Sequence, residues 1–288
     1  MAEGGIRALV DLISRSLTSF ARQPPHLHLG QRAAAALALI ASIPGRFERT
    51  IADEGALPLL IELLRQGDLA CRASAAGALQ SLATDDDCAA CMADGGAIPP
   101  LVELLRSAAV RAASLGADVG GEADEEAFLL STSKRAAANT LSNLAHICAG
   151  AVSLQQVIAS AGALEPLVHM LASDAETASA AAGAIANLAY RNRANARRVE
   201  SLGAIPLLVE MLRAMIGDGD ADGLMDACAA LANLANADET CQRSIAHAGA
   251  IRLLVRVRIC AGCGEPRVTA CVECCSEPSE RHGLNLTA

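Results

Sequence analysis

A two-part phrase that recurs along the chain constrains its fold more than any other sequence feature. The first part is a Gly, a small residue, an Ile or Leu, often a Pro, and an apolar run that ends in Leu-Leu. Successive copies are spaced by 51, 41, 66, 41 and 46 residues. Periods near this size are typical of a solenoid in which each repeat packs only against its neighbours. Six copies, of which the first and last are weaker, begin at Gly4, Gly55, Gly96, Gly162, Gly203 and Gly249.

The second part of the phrase is an Ala-rich segment that ends in Leu-Ala. Its copies end at Ala83, Ala145, Ala189 and Ala235, with a blurred version near residues 33–41. The Gly of the first part predicts the end of a helix, where a left-handed residue costs least, and the Pro fits the first turn of the next helix. The apolar run therefore predicts a buried second helix. The Ala-rich segment predicts a longer third helix, whose small side chains let neighbouring repeats approach closely.

These phrases predict a chain of helices with almost no strand. The predicted helices span residues 56–65, 73–83, 97–105, 134–147, 163–171, 177–190, 204–214 and 224–236. The sixth copy has no Ala-rich segment after its apolar run. Because a terminal repeat must still bury its apolar face, we expect Leu253, Leu254 and Val257 to dock on the fifth repeat.

The paired phrases Gly-Ala-Ile-Pro-x-Leu-Val-Glu-Leu-Leu and Ala-x-x-Ala-Leu-x-Asn-Leu-Ala resemble the armadillo repeat. The resemblance implies an all-α fold, a right-handed α-solenoid (superhelix) of about five and a half repeats. HEAT repeats have a similar period but lack the Gly-x-Ile-Pro opening. We assign residues 1–259 to the array, with repeats starting near 4, 55, 96, 162, 203 and 249.

Two acidic segments interrupt the pattern. The long spacing after Gly96 indicates an insertion near residues 107–133, whose Gly-rich acidic part predicts an extended, solvated loop between the second and third helices of repeat three. Residues 218–223 imitate the first half of a calcium-binding EF-hand loop. The position that should be a bidentate Glu is Ala229, so a solvated acidic turn is favoured over a calcium site.

Composition excludes several classes of function. The chain has 23 basic and 32 acidic residues and a net charge of −9, so we expect no binding of nucleic acid, which needs clustered Lys and Arg. The longest uncharged run, residues 136–164, contains Asn and Gln and is interpreted as two soluble helices, and no secretory signal is visible. No catalytic motif occurs. We expect a non-enzymatic protein of the cytoplasm or the nucleus, without direct membrane insertion.

Three asparagines are the main candidates for function. Asn143, Asn187 and Asn233 occupy one position in three successive third helices, where propensity gives Asn little advantage. The armadillo resemblance implies that such a row lines the concave groove and hydrogen-bonds the backbone of an extended peptide. The alternative is that these side chains cap or bridge helices between repeats. Ser81 occupies the position in repeat two, and repeat one has an apolar residue there.

The position one turn before each of these asparagines limits the kind of peptide. Nuclear-import armadillo receptors carry a Trp there, whereas this chain has Asn139, Gly183 and Ala229 and contains no Trp. Without indole rings the groove cannot sandwich the aliphatic stems of Lys or Arg. We therefore do not expect binding of classical import signals.

One basic cluster follows the third helix of repeat four. Such a cluster suits an acidic partner, although a charge run at a helix junction is more often solvated surface. We include Arg191, together with Ser81 and the three asparagines, among the candidate peptide-binding residues. The cluster consists of Arg191, Arg193, Arg197 and Arg198.

The cysteines fall into two groups. Six of the eleven are scattered through predicted helices and are expected to be small buried hydrophobes: Cys71, Cys88, Cys91, Cys148, Cys228 and Cys241. The other five lie in the tail, residues 260–288, where two Cys-x-x-Cys pairs have a spacing suited to tetrahedral zinc. These pairs are Cys260 with Cys263 and Cys271 with Cys274.

The tail resembles the start of a MYND-type zinc finger, but of the further ligands in that finger only Cys275 and His282 remain. An unstructured tail is the alternative. Two functional hypotheses follow. The first is a scaffold that binds an extended segment of a partner protein in the concave groove and needs no cofactor. The second is an array that presents a zinc-binding module.

Overall fold

A computed structural model describes residues 2–19, 25–43, 47–114, 122–146, 154–218 and 221–256, together with strand residues 258–259 and 266–267. Repeat one contributes two helices, α1 (Ala2–Ser19) and α2 (Pro25–Ala41). Repeats two and three contribute α3 (Glu48–Asp53), α4 (Ala56–Gln66), α5 (Leu69–Leu82), α6 (Asp86–Asp94), α7 (Ile98–Ser114) and α8 (Glu122–His146). Repeats four and five contribute α9 (Leu154–Ser160), α10 (Leu164–Met170), α11 (Ala175–Ala189), α12 (Arg193–Ser201), α13 (Ala204–Asp218) and α14 (Ala221–Ala235). Repeat six contributes α15 (Glu239–His247) and α16 (Ala250–Arg256), and the strands β1 (Arg258–Ile259) and β2 (Pro266–Arg267) pair antiparallel after it.

The third helices α2, α5, α8, α11 and α14 form one continuous layer. Each packs on the next, from α2 on α5 to α11 on α14, and each also packs on the second helix of its own repeat. Small residues such as Ala76, Ala137 and Ala181 are fully buried along these helices. The second helices supply the larger buried side chains, such as Leu60 and Leu101. The result is the all-α solenoid that the repeat phrase predicts.

Glycine ends the first helix of each later repeat, as the sequence predicts. The five glycines at these turns have φ between 74° and 86°, a left-handed conformation that costs least for Gly. They are Gly55, Gly96, Gly162, Gly203 and Gly249.

An arginine that follows the apolar run of a second helix ties neighbouring repeats together. Arg106 Nη2 donates to the carbonyl oxygens of Ala161 and Gly162 at 3.1 and 3.3 Å, and Arg65 Nη2 donates to that of Gly96 at 3.2 Å. A Cβ atom at Gly162 would lie 2.1 Å from Arg106 Nη2. The turn therefore needs Gly for its backbone conformation and also for this close approach.

The predicted helices are confirmed. The loop predicted in repeat three is wrong for residues 107–114 and 122–133, which are helical, and residues 115–121 lie outside the described residues. Helix α7 continues to Ser114 and α8 begins at Glu122, so both helices extend into the insertion. The physical reason is composition: residues 107–113 are rich in Ala, and acidic residues in the first turns of α8 suit a helix N-terminus. An ion pair between Arg111 and Glu126 joins the two extensions. At the EF-hand-like segment, α13 ends at Asp218 and α14 begins at Ala221, so the segment is mostly helical.

The end of the described array has one covered and one open side. Leu253 and Leu254 pack against the core as predicted, and Val257 lies outside the described residues. Ile251 and Val255 are 57% and 74% exposed, whereas the equivalent Ile205 and Val209 of repeat five are 2% and 1% exposed. Strand β2 contacts α14, the helix on which a third helix of repeat six would pack.

Candidate functional site

The three predicted asparagines lie in one row across α8, α11 and α14. Asn187 Nδ2 donates to the carbonyl oxygen and the hydroxyl of Ser142, at 3.2 and 2.9 Å. Asn233 Nδ2 donates to the carbonyl oxygen of Ala186 at 2.8 Å. Ser142 and Ala186 directly precede Asn143 and Asn187 in the sequence. The side-chain amides of Asn187 and Asn233 therefore each contact the third helix of the preceding repeat, next to the Asn of that helix.

The amide nitrogens of Asn187 and Asn233 form hydrogen bonds, whereas their amide oxygens form none with the described residues. The nitrogens of Asn187 and Asn233 bridge neighbouring repeats, which is one of the two roles that the sequence left open. Within the part of the chain that the structure describes, neither Oδ1 accepts a hydrogen bond, and the Asn143 side chain makes none. An amide oxygen has two lone pairs, and the three side chains are half-buried. The row therefore presents acceptors at the surface of the third helices.

Repeats one and two have no Asn at the position of this row. The Ser81 hydroxyl donates to the carbonyl oxygen of Gly77 at 3.2 Å, within its own helix, so it does not bridge α5 to α2. The same position in α2 is Leu39, whose side chain is 74% exposed. At this position the surface of the third helices is therefore apolar in repeat one and carries side-chain amides in repeats three to five.

Close packing explains the small residue one turn before Asn187. A Cβ atom at Gly183 would lie 3.3 Å from Asp226 Oδ1, so the carboxylate of α14 already occupies the space beside this Gly. Ser179 on α11 donates to Asp226 Oδ2 at 2.6 Å. The contact between α11 and α14 leaves no room there for the Trp of an import receptor.

A cleft at the ends of α11 and α14 brings together two of the predicted residues, Arg191 and Asn233. Its volume is about 420 Å³, and we call it the repeat-four cleft. It is lined by residues 189–193, Asn233, Asn236 and Ala237. The cleft therefore extends the asparagine row to the turn between repeats four and five.

The turn at the cleft has an unusual backbone. Asn192 N–H donates to the carbonyl oxygen of Ala189 at 3.1 Å, and Tyr190 has φ −59° and ψ 115°. Arg191 follows at φ 52°, which makes the turn type II with Arg at the position that favours Gly. The guanidinium carbon of Arg191 lies 5.3 Å from the centroid of the Tyr190 ring, within reach of a cation–π interaction.

Side-chain amides from two first helices hold this turn. Gln155 Nε2 donates to the carbonyl oxygens of Asn187 and Tyr190 at 2.8 and 3.1 Å. Buried Asn195 donates to the carbonyl oxygen of Leu188 at 2.9 Å. These bonds supply donors to carbonyl groups at and just after the end of α11, where the helix leaves its last carbonyl groups without the usual partner.

The basic cluster divides into paired and unpaired arginines. Arg197 forms an ion pair with Asp238, and Arg193 Nε lies 3.5 Å from the same carboxylate. The Asp238 side chain is only 4% exposed and caps α15 by accepting from the N–H groups of Thr240 and Cys241. The bond from Arg197, followed by that from the Cys241 N–H, holds the pKa of Asp238 well below its ordinary value. This half of the cluster joins repeats five and six.

The scattered cysteines are buried only in part. Cys71, Cys88 and Cys241 are buried as predicted, and Cys228 is half-buried. The prediction is wrong for Cys91, which is exposed on the outer side of α6, and Cys148 lies outside the described residues. Burial raises the pKa of the Cys71 and Cys88 thiols to about 12 and keeps them protonated and unreactive.

The predicted zinc ligands, Cys260, Cys263, Cys271 and Cys274, lie outside the described residues. Within the described ranges, no group of three or more His, Cys, Asp or Glu side chains is arranged to hold a metal ion. In the same ranges no single helix is long and apolar enough to span a membrane, and only α6 with residues 98–109 meets the length and composition criteria, as a pair bent by 83°.

Comparison with known proteins agrees with this architecture. The sequence model of the armadillo/beta-catenin-like repeat matches residues 48–84 and 153–190. An engineered protein of known structure is 30% identical, with 88% of this chain and 90% of that chain covered and a TM-score of 0.66. A designed armadillo repeat protein is 24% identical, with 89% and 93% covered and a TM-score of 0.66. The chain belongs to the armadillo-repeat family.

One further solved structure similar to this armadillo-repeat protein was designed for a stated purpose. It is a computationally designed armadillo repeat protein for modular peptide recognition, 25% identical, with 88% of this chain and 93% of that chain covered and a TM-score of 0.64. No curated protein sequence matches the chain.

Proposed function

We propose that this armadillo-repeat protein is a non-enzymatic scaffold that binds an extended segment of a partner protein along the surface of its third helices. The observation that supports the proposal is the row formed by Asn143, Asn187 and Asn233, whose amide oxygens accept no hydrogen bond from the described residues. An extended peptide has backbone N–H groups that need acceptors when they leave water. The row supplies such acceptors, and those of Asn187 and Asn233 have a fixed position because their amide nitrogens bond to the neighbouring helix.

The spacing of the row suits an extended peptide. Neighbouring packed helices lie about 8–10 Å apart. A peptide in the extended conformation advances about 3.3 Å per residue. The row therefore offers one acceptor for every two or three residues of a bound segment. A designed armadillo repeat protein made for modular peptide recognition has the same fold, which further supports this mode of binding.

Peptide selection followed by titration tests the proposal. A library of short random peptides is selected on the wild-type chain, and the best binder is titrated against wild type and Asn187→Ala/Asn233→Ala. Two lost hydrogen bonds, each about 0.5–1.5 kcal/mol, predict a weakening of about five- to hundredfold. Glu165→Ala, an exposed change on the second helix α10, is the matched control and is expected to bind like wild type. Equal affinity of wild type and the double variant contradicts the proposal.

Zinc binding remains a second proposal, carried by the sequence of the tail alone. The two Cys-x-x-Cys pairs at Cys260, Cys263, Cys271 and Cys274 supply four thiolates, the number that a structural zinc takes. This function does not compete with peptide binding, because its ligands lie after the array. Its test is the zinc content of the purified chain, given with the predictions below.

A further inference from the structure

The repeat-four cleft is positively charged in a protein that is strongly acidic. The chain has a net charge of −9, yet Arg191 and Arg193 line the cleft and no Asp or Glu is among its lining residues. Its volume of about 420 Å³ is within the range of small-ligand sites. The charge and the shape of the cleft together point to an anion.

Arg191 is the arginine of the cleft that is available for a ligand. Arg193 shares the carboxylate of Asp238 with Arg197. Arg191 is exposed and forms no ion pair with any residue that the structure describes. Its guanidinium lies over the ring of Tyr190, which leaves its N–H groups available to a ligand. A guanidinium offers five N–H donors in a planar fork that matches a carboxylate.

The backbone of Arg191 has an unfavourable conformation. Apart from Arg191, the residues with left-handed φ in the described ranges are glycines. A non-Gly residue at this position of a type II turn strains the backbone, and the bonds from Gln155 hold the turn in place. The neutral amide of Asn236 also lines the wall of the cleft and adds hydrogen-bond donors.

We propose that the repeat-four cleft binds the carboxylate of an Asp or Glu side chain in a peptide that lies along the third helices. Arg191 supplies the charge-assisted hydrogen bonds, and Asn233 links the cleft to the asparagine row. The inference rests on the proposed function, since it assigns an acidic residue to one end of the bound segment. Such bonds are roughly twice as strong as neutral ones, so the cleft gives the groove a preference for acidic partners.

A small carboxylate tests the cleft without any peptide. N-acetylglutamate is titrated into the isotope-labelled chain, and the Arg side-chain N–H signals and the backbone N–H signals of the cleft residues are followed by NMR. We expect a saturable shift of these signals in wild type and no comparable shift with the α-amide of N-acetylglutamine, which carries no charge. Binding read from the backbone signals is expected to be at least tenfold weaker, about 1.4 kcal/mol, in Arg191→Gly. Arg198→Ala removes an exposed charge of α12 that does not line the cleft, and it is expected to bind like wild type.

The choice of Gly keeps the test free of folding effects. Because Gly adopts left-handed φ without strain, Arg191→Gly is expected to unfold at no lower urea concentration than wild type. Equal shifts with N-acetylglutamate and the uncharged α-amide of N-acetylglutamine, or undiminished binding in Arg191→Gly, overturn the carboxylate site.

Peptide selection separates this inference from the proposed function. Peptides selected on wild type are expected to be richer in Asp and Glu than those selected on Arg191→Gly. Selected peptides that bind through the asparagine row without acidic enrichment overturn the inference and leave the proposed function standing. A cleft that binds N-acetylglutamate in a chain that selects no peptide contradicts the peptide scaffold, and the site is then one for a free anion.

Discussion

Replacing Asn233 tests whether the asparagine row joins the repeats as well as facing a ligand. Its Nδ2 donates over 2.8 Å to the carbonyl oxygen of Ala186. That oxygen lacks its usual donor four residues on, because the N–H of Tyr190 donates to Asn187 instead. In Asn233→Ala the carbonyl loses this donor at a half-buried contact between α11 and α14.

The expected magnitude contains two opposing effects. Loss of a neutral hydrogen bond costs about 0.5–1.5 kcal/mol. Ala has the higher helix propensity, which returns up to about 0.7 kcal/mol. The matched control is Asn139→Ala, since Asn139 is also half-buried in a third helix and makes no side-chain hydrogen bond with the described residues. We expect Asn139→Ala to be stabilising and Asn233→Ala to unfold with about 1 kcal/mol less free energy than this control.

Urea unfolding followed by circular dichroism measures the difference. A third variant, Asn233→Asp, keeps the size of the side chain but places a carboxylate against a carbonyl at the negative end of α11. We expect it to be less stable than Asn233→Ala by a further 0.3–1 kcal/mol, roughly. Equal unfolding free energies for Asn233→Ala and Asn139→Ala, or an Asn233→Asp variant as stable as Asn233→Ala, refute the bridging role.

Three further predictions concern the array and its tail. Arg106→Ala removes the bonds to the turn of repeat four and should lower the unfolding free energy by about 1 kcal/mol in urea, and an unchanged midpoint contradicts the tie between repeats. Because the native pKa of Asp238 is lowered, its contribution is complete above the ordinary value of 3.8 and is lost as the pH falls toward the lower native value. Urea midpoints should therefore fall between about pH 5 and pH 3, and fall less in Asp238→Asn, which keeps the cap. Zinc binding by the tail predicts one zinc per chain in elemental analysis, lost in Cys260→Ser/Cys271→Ser, and a chain purified without chelators that holds no zinc contradicts it.

Features that act within a few residues could be predicted from the sequence. Gly55 and its equivalents mark a left-handed turn, and the apolar and Ala-rich runs beside them mark helices, because each effect is local. The loop prediction was wrong for residues 107–114 and 122–133, because helix-forming residues flank the Gly-rich acidic centre of the insertion. The Ala-rich end of α7 and the acidic start of α8 were the available signals.

Features that depend on distant partners could not be predicted in the same way. The sequence placed Asn187 on a third helix but could not choose between a peptide and a neighbouring repeat, since Ser142 is 45 residues away. Arg106 had a signal, because Arg follows Leu-Leu in repeats two and three and Met-Leu in repeat five, but its acceptor lies in the next repeat. The left-handed Arg191 had no signal, since few non-Gly residues adopt this conformation.

A crystal structure of the chain with a display-selected peptide tests whether the asparagine row binds a peptide backbone. We expect an extended peptide along α8, α11 and α14, with the Oδ1 atoms of Asn187 and Asn233 accepting from peptide N–H groups at about 2.7–3.2 Å. A peptide on the second helices α7, α10 and α13, or one on the third helices that leaves both Oδ1 atoms without a peptide donor, contradicts it.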